Sequence, residues 1–266
     1  MTGSAGAALD ALFARTRAED RAALVAYLPV GFPSYDVSVA AMTACVEEGV
    51  DALEVGVPYT DPGMDGPVIQ VAVDAALRAG VRTKDTLRAV EAVSATGAPA
   101  LVMGYWNPIE RYGPARFAAD LAAAGGAGAI MPDLIPEEAQ PWIDAAYEQG
   151  LATVFLVAPS STDERIAVVG RTNRGFVYAA STMGVTGTRD AVSDRAEELV
   201  ARTRAATDLP VCVGLGVSDG DQAEAVGRYA DGVIVGSALV RALGAGGVDA
   251  VRRLAADLAA GVRRGR

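Results

Sequence analysis

The 266-residue chain contains no histidine, a single lysine (Lys84) and two cysteines, Cys45 and Cys212. Each shortage removes a chemistry. Without an imidazole, neither a Ser-His-Asp nor a Cys-His nucleophile can be assembled, and a metal site would rest on carboxylates alone. The cysteines lie far apart with no CxxC spacing, which suggests neither a disulfide framework nor a zinc site, so a reducing compartment is the simplest reading. Schiff-base chemistry would fall to Lys84. That residue sits in GVRTKDTLRAV, where Thr83 reads as a helix N-cap, placing Lys84 at a solvated helix start. The formal charge of −10, with scattered arginines and no basic cluster, argues against a polyanion such as nucleic acid as partner. The opening stretch has no apolar core of signal-peptide length, and no later run is long enough to span a bilayer, so a soluble cytoplasmic protein is expected. Aspartate, glutamate and tyrosine remain for proton transfer.

What the chain does have is periodicity. Half of its residues are apolar, enough for one large core, and residues 1–266 are expected to form a single domain. Short β-branched or apolar runs alternate with amphipathic stretches about every thirty residues, the pattern of βα units on a parallel sheet. Eight candidate strands emerge: Ala23 to Val30, Ala52 to Gly56, Ala100 to Tyr105, Gly128 to Met131, Ala152 to Ala158, Gly175 to Ala180, Val211 to Gly214 and Gly232 to Val235. Candidate helices include Tyr35 to Glu48, Arg195 to Ala206 and an additional one, Ala7 to Arg17, ahead of the first strand. With no linker-like break in composition, the expected fold is α/β, a (βα)8 TIM barrel with its extra N-terminal helix at the amino face. An open doubly wound sheet is the alternative.

In such a barrel, chemistry gathers at the carboxyl ends of the strands. The second candidate strand ends in LEVGVPYTDPGMDGPVIQ, which carries Glu54 on the strand and Asp61 and Asp65 on a Gly/Pro loop before Pro67 opens a helix. A carboxylate at the end of an apolar strand leaves water partly behind, and its raised pKa suits it to proton transfer near neutrality. A structural carboxylate paired with arginine is the competing explanation for Glu54, but the neighbouring strands supply none. Asp61 and Asp65 are equally ordinary turn formers. GLGVSDG after the seventh strand, VGSALVRAL after the eighth and STMGVTGTRD after the sixth bring Gly216, Gly236, Ser237, Gly184, Thr186 and Gly187 toward one anion, and the last loop has the composition of a lid. Tyr178 is either barrel core or a phenol in the site. Tyr27, Met103, Tyr105 and Ile130 either line a pocket for a flat substrate or fill the barrel, and Asp133 either caps the following helix or holds a polar group in the pocket.

The segments LEVGVPYTDPGMDGPVIQ, MGYWNP, PDLIPEE, GVTGTRD, GLGVS and VGSALV, in this order and spacing, closely resemble the tryptophan synthase alpha subunit family from about Tyr27 to the last helix. The first segment is highly specific to that family, whereas the glycine loops recur in many phosphate-binding barrels. The resemblance implies a cofactor-independent lyase of tryptophan biosynthesis that splits indole-3-glycerol phosphate into indole and glyceraldehyde 3-phosphate by a retro-aldol route. It makes Glu54 the general acid/base, Asp65 the carboxylate facing the indole nitrogen, and Tyr178 a neighbour of the reacting centre. Gly187, Gly216, Gly236 and Ser237 would hold phosphate, and Thr186 would meet Asp65 on lid closure. A beta subunit using pyridoxal phosphate is implied as partner in an alpha2beta2 heterotetramer, with Asp61, Pro58, Pro62 and MGYWNPIERYG at the interface. The alternatives are a free-standing indole-glycerol-phosphate lyase and a chiefly regulatory subunit. Two departures stand out: Tyr59-Thr60-Asp61-Pro62-Gly63-Met64 where many relatives have Phe-Ser-Asp-Pro-Leu-Ala, and a lid sequence without the arginine that some relatives carry.

Overall fold

A computed structural model describes residues 5–180 and 189–264. Nine strands among the described residues form one sheet: β1 (Ala23–Pro29), β2 (Ala52–Gly56), β3 (Ala100–Met103), β4 (Gly128–Ile130), β5 (Ala152–Val154), β6 (Leu156–Val157), β7 (Val177–Ala180), β8 (Val211–Gly214) and β9 (Gly232–Val235). All pairings are parallel, in the order β5-β4-β3-β2-β1-β9-β8-β7-β6. This is the expected eight-stranded barrel with its fifth strand divided in two. The division falls at Phe155, whose N–H donates to the Asn173 side-chain oxygen at 2.9 Å and whose carbonyl accepts from Asn173 Nδ2 at 3.2 Å. The side-chain amide thus takes the backbone N–H that a ladder would otherwise use and shares the carbonyl with the Tyr178 N–H. β5 pairs with β4 on one side of the break and β6 with β7 on the other, which completes the circuit.

The additional helix, Ala5–Ala18, seats Leu9, Leu12 and Phe13 on a lower cluster that includes Val25, Leu101, Ile130, Val154 and Phe176. The spacing of Leu9, Leu12 and Phe13 puts all three on one helical face. Phe13 and Phe176 bring their ring centroids to 5.9 Å. Each side chain buried this way contributes about 1.5–3 kcal/mol, and together they close the amino-terminal end of the barrel. A buried ion pair reinforces the same end: Asp51 accepts from Arg21 at 2.6 and 2.8 Å and from the Leu24 N–H at 2.9 Å. With that end sealed, the opposite mouth is left for a ligand.

One expected helix cap falls on a different residue. The helix Thr83–Ser94 has Arg82, not Thr83, as its N-cap, because the Asp85 carboxylate reaches back to accept the Arg82 N–H at 2.9 Å. Lys84 lies in the first turn and is exposed, as its position in the sequence implied. The predicted helix at 35–48 is present as Tyr35–Glu47, and 195–206 falls largely within Arg189–Arg204. After β9, the helix Ser237–Arg264 is broken at Gly246 and Gly247, whose φ and ψ are non-helical. No helix among the described residues is long and apolar enough to cross a membrane.

Candidate active site

Alternation along the strands turns every second residue inward, and near their carboxyl ends these residues enclose a cavity of about 540 Å³. Tyr27, Glu54, Met103, Leu156 and Tyr178 contribute to its wall. Glu54 and Tyr27 are lateral neighbours in the β1–β2 register, and Tyr178 faces Leu156 between β6 and β7. Two inward glycines make room for the tyrosines. A methyl group at Gly56 would come within 2.8 Å of the Tyr27 ring, and one at Gly214 within 2.6 Å of the Tyr178 hydroxyl.

Glu54 is 1% exposed, and among the described residues its Oε1 has no hydrogen-bond partner and no arginine pairs with it. Burial alone drives its carboxyl up to about 8, because the charged form loses hydration without a compensating donor. A carboxyl in that state holds its proton at neutral pH. It is an acid aimed into a cavity, with the structural-ion-pair explanation removed by the lack of a partner.

Asp65 enters the same cavity from the loop after β2. Burial raises its carboxyl to about 6, and a hydrogen bond with the Tyr105 hydroxyl acts in the opposite direction. At pH 7 this second carboxyl is mostly ionised. One cavity therefore holds two carboxyl groups whose surroundings separate their pKa values, the usual mark of distinct acid and anion roles. Asp61, by contrast, is exposed and accepts a hydrogen bond from the Thr60 hydroxyl at 2.6 Å.

The glycine loops expected to hold an anion also reach this cavity. Gly214, Gly216, Gly236 and Ser237 all border the cavity. Gly216 has φ +73°, a conformation that favours glycine, and a side chain added there would meet no atom within 4 Å. Ser237 starts the helix after β9, so the first backbone N–H groups of that helix lack intrahelical partners and face outward at its positive end. Gly236 is constrained differently: an added methyl group would press on the Tyr27 ring at 3.2 Å. Thr186 and Gly187, and the lid expected around them, lie outside the described residues.

Three residues whose place the sequence left open are not among the described residues that line the cavity. Ile130 is fully buried in the cluster that Leu9, Leu12 and Phe13 join. Tyr105 is buried behind the Asp65 loop, where its hydroxyl accepts the Met64 N–H at 2.9 Å. Asp133 caps an earlier helix and not the following one, accepting the Trp106 N–H at 3.0 and 3.1 Å at the start of Trp106–Tyr112. The cavity also includes Ile69, Leu156, Ala180 and Ile234, which the sequence reading passed over. The signal for Ala180 and Ile234 was their strand alternation with Tyr178 and Gly236.

Comparison with known proteins agrees in sequence and in shape. The family model described as "Tryptophan synthase alpha chain" matches residues 13–262. The chain is 62% identical to the tryptophan synthase alpha chain of Mycobacterium marinum over 256 residues, covering 96% of this chain and 95% of that one. It is 62% identical to that of Mycobacterium tuberculosis over 257 residues, covering 97% and 95%. A Mycobacterium tuberculosis tryptophan synthase structure superimposes with TM-score 0.91 at 60% identity, covering 96% of this chain and 98% of that chain. The tryptophan synthase alpha subunit of Legionella pneumophila does so with TM-score 0.88 at 30% identity, covering 96% and 98%.

Proposed function

Because the chain belongs to the tryptophan synthase alpha chain family, we propose that it is a carbon–carbon lyase of tryptophan biosynthesis, cleaving indole-3-glycerol phosphate to indole and glyceraldehyde 3-phosphate beside a beta subunit. The observation that carries this reading is the pair of carboxyls with separated pKa values, Glu54 at about 8 and Asp65 at about 6, facing one cavity with a glycine-lined anion cradle.

The chemistry asks for that separation. Breaking the bond between the indole ring and the glycerol chain requires the ring to become an electron sink, so a proton must arrive at the ring carbon. Protonated Glu54 supplies it. The resulting indoleninium carries positive charge toward its nitrogen, where the Asp65 carboxylate accepts the N–H and stabilises the charge in a site shielded from water. Glu54, now a carboxylate in an apolar wall, takes the proton of the glycerol hydroxyl. As that O–H bond breaks, an aldehyde C=O forms, the carbon–carbon bond cleaves and its electron pair returns to the ring. Protons and electrons balance within the substrate and Glu54, so the scheme needs no redox group or carrier. The Gly216, Gly236 and Ser237 cradle would hold the phosphate and fix the scissile bond over Glu54, while Tyr27, Met103 and Tyr178 would pack against the ring.

Purified chain incubated with indole-3-glycerol phosphate is expected to release indole, and an added beta subunit should accelerate that release by about tenfold or more, a coupling of ordinary size between subunits. Indole formation in neither mixture would overturn the lyase reading. High turnover that the beta subunit leaves unchanged would favour a free-standing enzyme.

A further inference from the structure

The loop carrying Asp65 has little to hold it. Gly63 and Gly66 have open space around them, and the hydrogen bonds Gly63 N–H to Asp61 carbonyl, Asp65 N–H to Pro62 carbonyl and Gln70 side chain to Asp65 carbonyl stay within the loop and the helix after it. The contact that ties residues 61–66 to a distant part of the barrel is Met64 N–H to the Tyr105 hydroxyl at 2.9 Å, across 41 positions of sequence. Tyr105 is itself firmly placed. It is 6% exposed, just beyond the end of β3, and its ring lies against Tyr59 with centroids 5.2 Å apart. The Tyr59 hydroxyl in turn accepts from Asn107 Nδ2 at 3.0 Å. Having accepted the Met64 N–H, the Tyr105 oxygen keeps its own proton for donation, and the residue next to Met64 in the loop is Asp65.

We infer that Tyr105 is a positioning residue for Asp65: one hydroxyl accepts from the Met64 amide and donates to the Asp65 carboxylate, fixing the direction in which that carboxylate faces the cavity. Tyr105 is not among the described residues that line the cavity, and its effect is expected to run through Asp65. A donor to the ionised carboxyl also favours the charged form, the form that the reaction proposed above requires. The inference rests on that reaction for its consequence in catalysis, but the link between Tyr105 and Asp65 can be tested without it.

The direct test labels aspartate carboxyl carbons with ¹³C, identifies the Asp65 resonance by its loss in Asp65→Asn, and titrates the whole protein with and without Tyr105→Phe. Phenylalanine keeps the ring against Tyr59 and removes only the hydroxyl. The Asp65 midpoint is expected to rise by roughly half to one pH unit. Indole release at saturating substrate should fall about 5- to 30-fold with KM changed less than about threefold, the split expected for misdirected chemistry and not lost binding. An unmoved midpoint would overturn the inference. If the parent releases no indole but its Asp65 midpoint still responds to Tyr105→Phe, the lyase reading fails and the Tyr105 link stands. Should Tyr105→Phe not fold, difluorotyrosine at position 105 keeps ring and hydroxyl but donates more strongly. It must move the midpoint downward, and a midpoint that stays or rises contradicts the link.

Discussion

Glu54→Gln is expected to lower indole release by about two to four orders of magnitude while leaving binding of a substrate analogue within about threefold, because the amide preserves volume and neutrality but has no proton to give to carbon. Retained turnover within about tenfold would remove Glu54 from the chemistry. The same variant should be more stable than the parent, in a pH-dependent way. The Glu54 carboxyl sits at about 8 in the fold against an ordinary 4.5, so the unfolded chain ionises first. Below pH 4.5 both states hold the proton, and the two proteins should melt alike. As pH rises from there through about 8, the parent alone loses stability, and the gap should grow to the order of a few kcal/mol before levelling off. A melting gap that shrinks as pH rises would show that burial is not what holds the proton on Glu54. Gain in stability with loss of turnover is what a strained functional carboxyl implies.

The second large effect is expected at the anion cradle. Gly216→Val forces a branched side chain into φ +73° and points it into open space at the cavity edge, where no neighbouring atom would resist it. The fold should survive at a cost of about 1–3 kcal/mol. Binding of glycerol phosphate analogues should weaken about 10- to 100-fold, the value of one or two charge-assisted hydrogen bonds lost, while indole binding, measured by fluorescence titration, changes less than about threefold. Equal loss of both ligands would point to damage of the whole mouth. Gly236 is the poorer probe, since a side chain there would press on Tyr27 and disturb the ring side as well.

Much of this arrangement was legible from residue order because barrel strands obey a simple rule of alternation. Tyr27, Glu54 and Tyr178 could be placed near strand ends from pattern alone, and the glycine loops declared themselves by position after the last two barrel strands. What pattern could not supply was depth. Ile130 follows the alternation of a pocket residue but is fully buried in the cluster that Leu9, Leu12 and Phe13 join, beside Met103, which does line the cavity. Tyr105 stands beyond the last paired residue of β3, where alternation no longer governs direction, so its turn toward the Met64 amide was not readable. The break at Phe155 was hidden for a different reason: the run from Ala152 to Ala158 is uniformly strand-like, and the residue that divides it, Asn173, arrives from 18 positions later. Side-chain amides that replace ladder hydrogen bonds leave no local trace in the strand they interrupt. Arg82 rather than Thr83 caps its helix because Asp85 supplies the reciprocal bond, a choice set by one carboxylate and not by the preference of the capping position.

The central claim is that Glu54 works as a protonated acid, and the pH dependence of kcat/KM for indole release tests it most directly. The alkaline limb is the cleaner reporter, since the substrate's phosphate monoester ionises near pH 6 and overlaps Asp65 on the acid side. Activity is expected to hold through neutrality and fall with a midpoint near pH 8, where Glu54 gives up its proton. Activity that climbs through pH 8, or stays level to pH 9, would mean that ionised Glu54 is the competent form or that Glu54 does not deliver the proton.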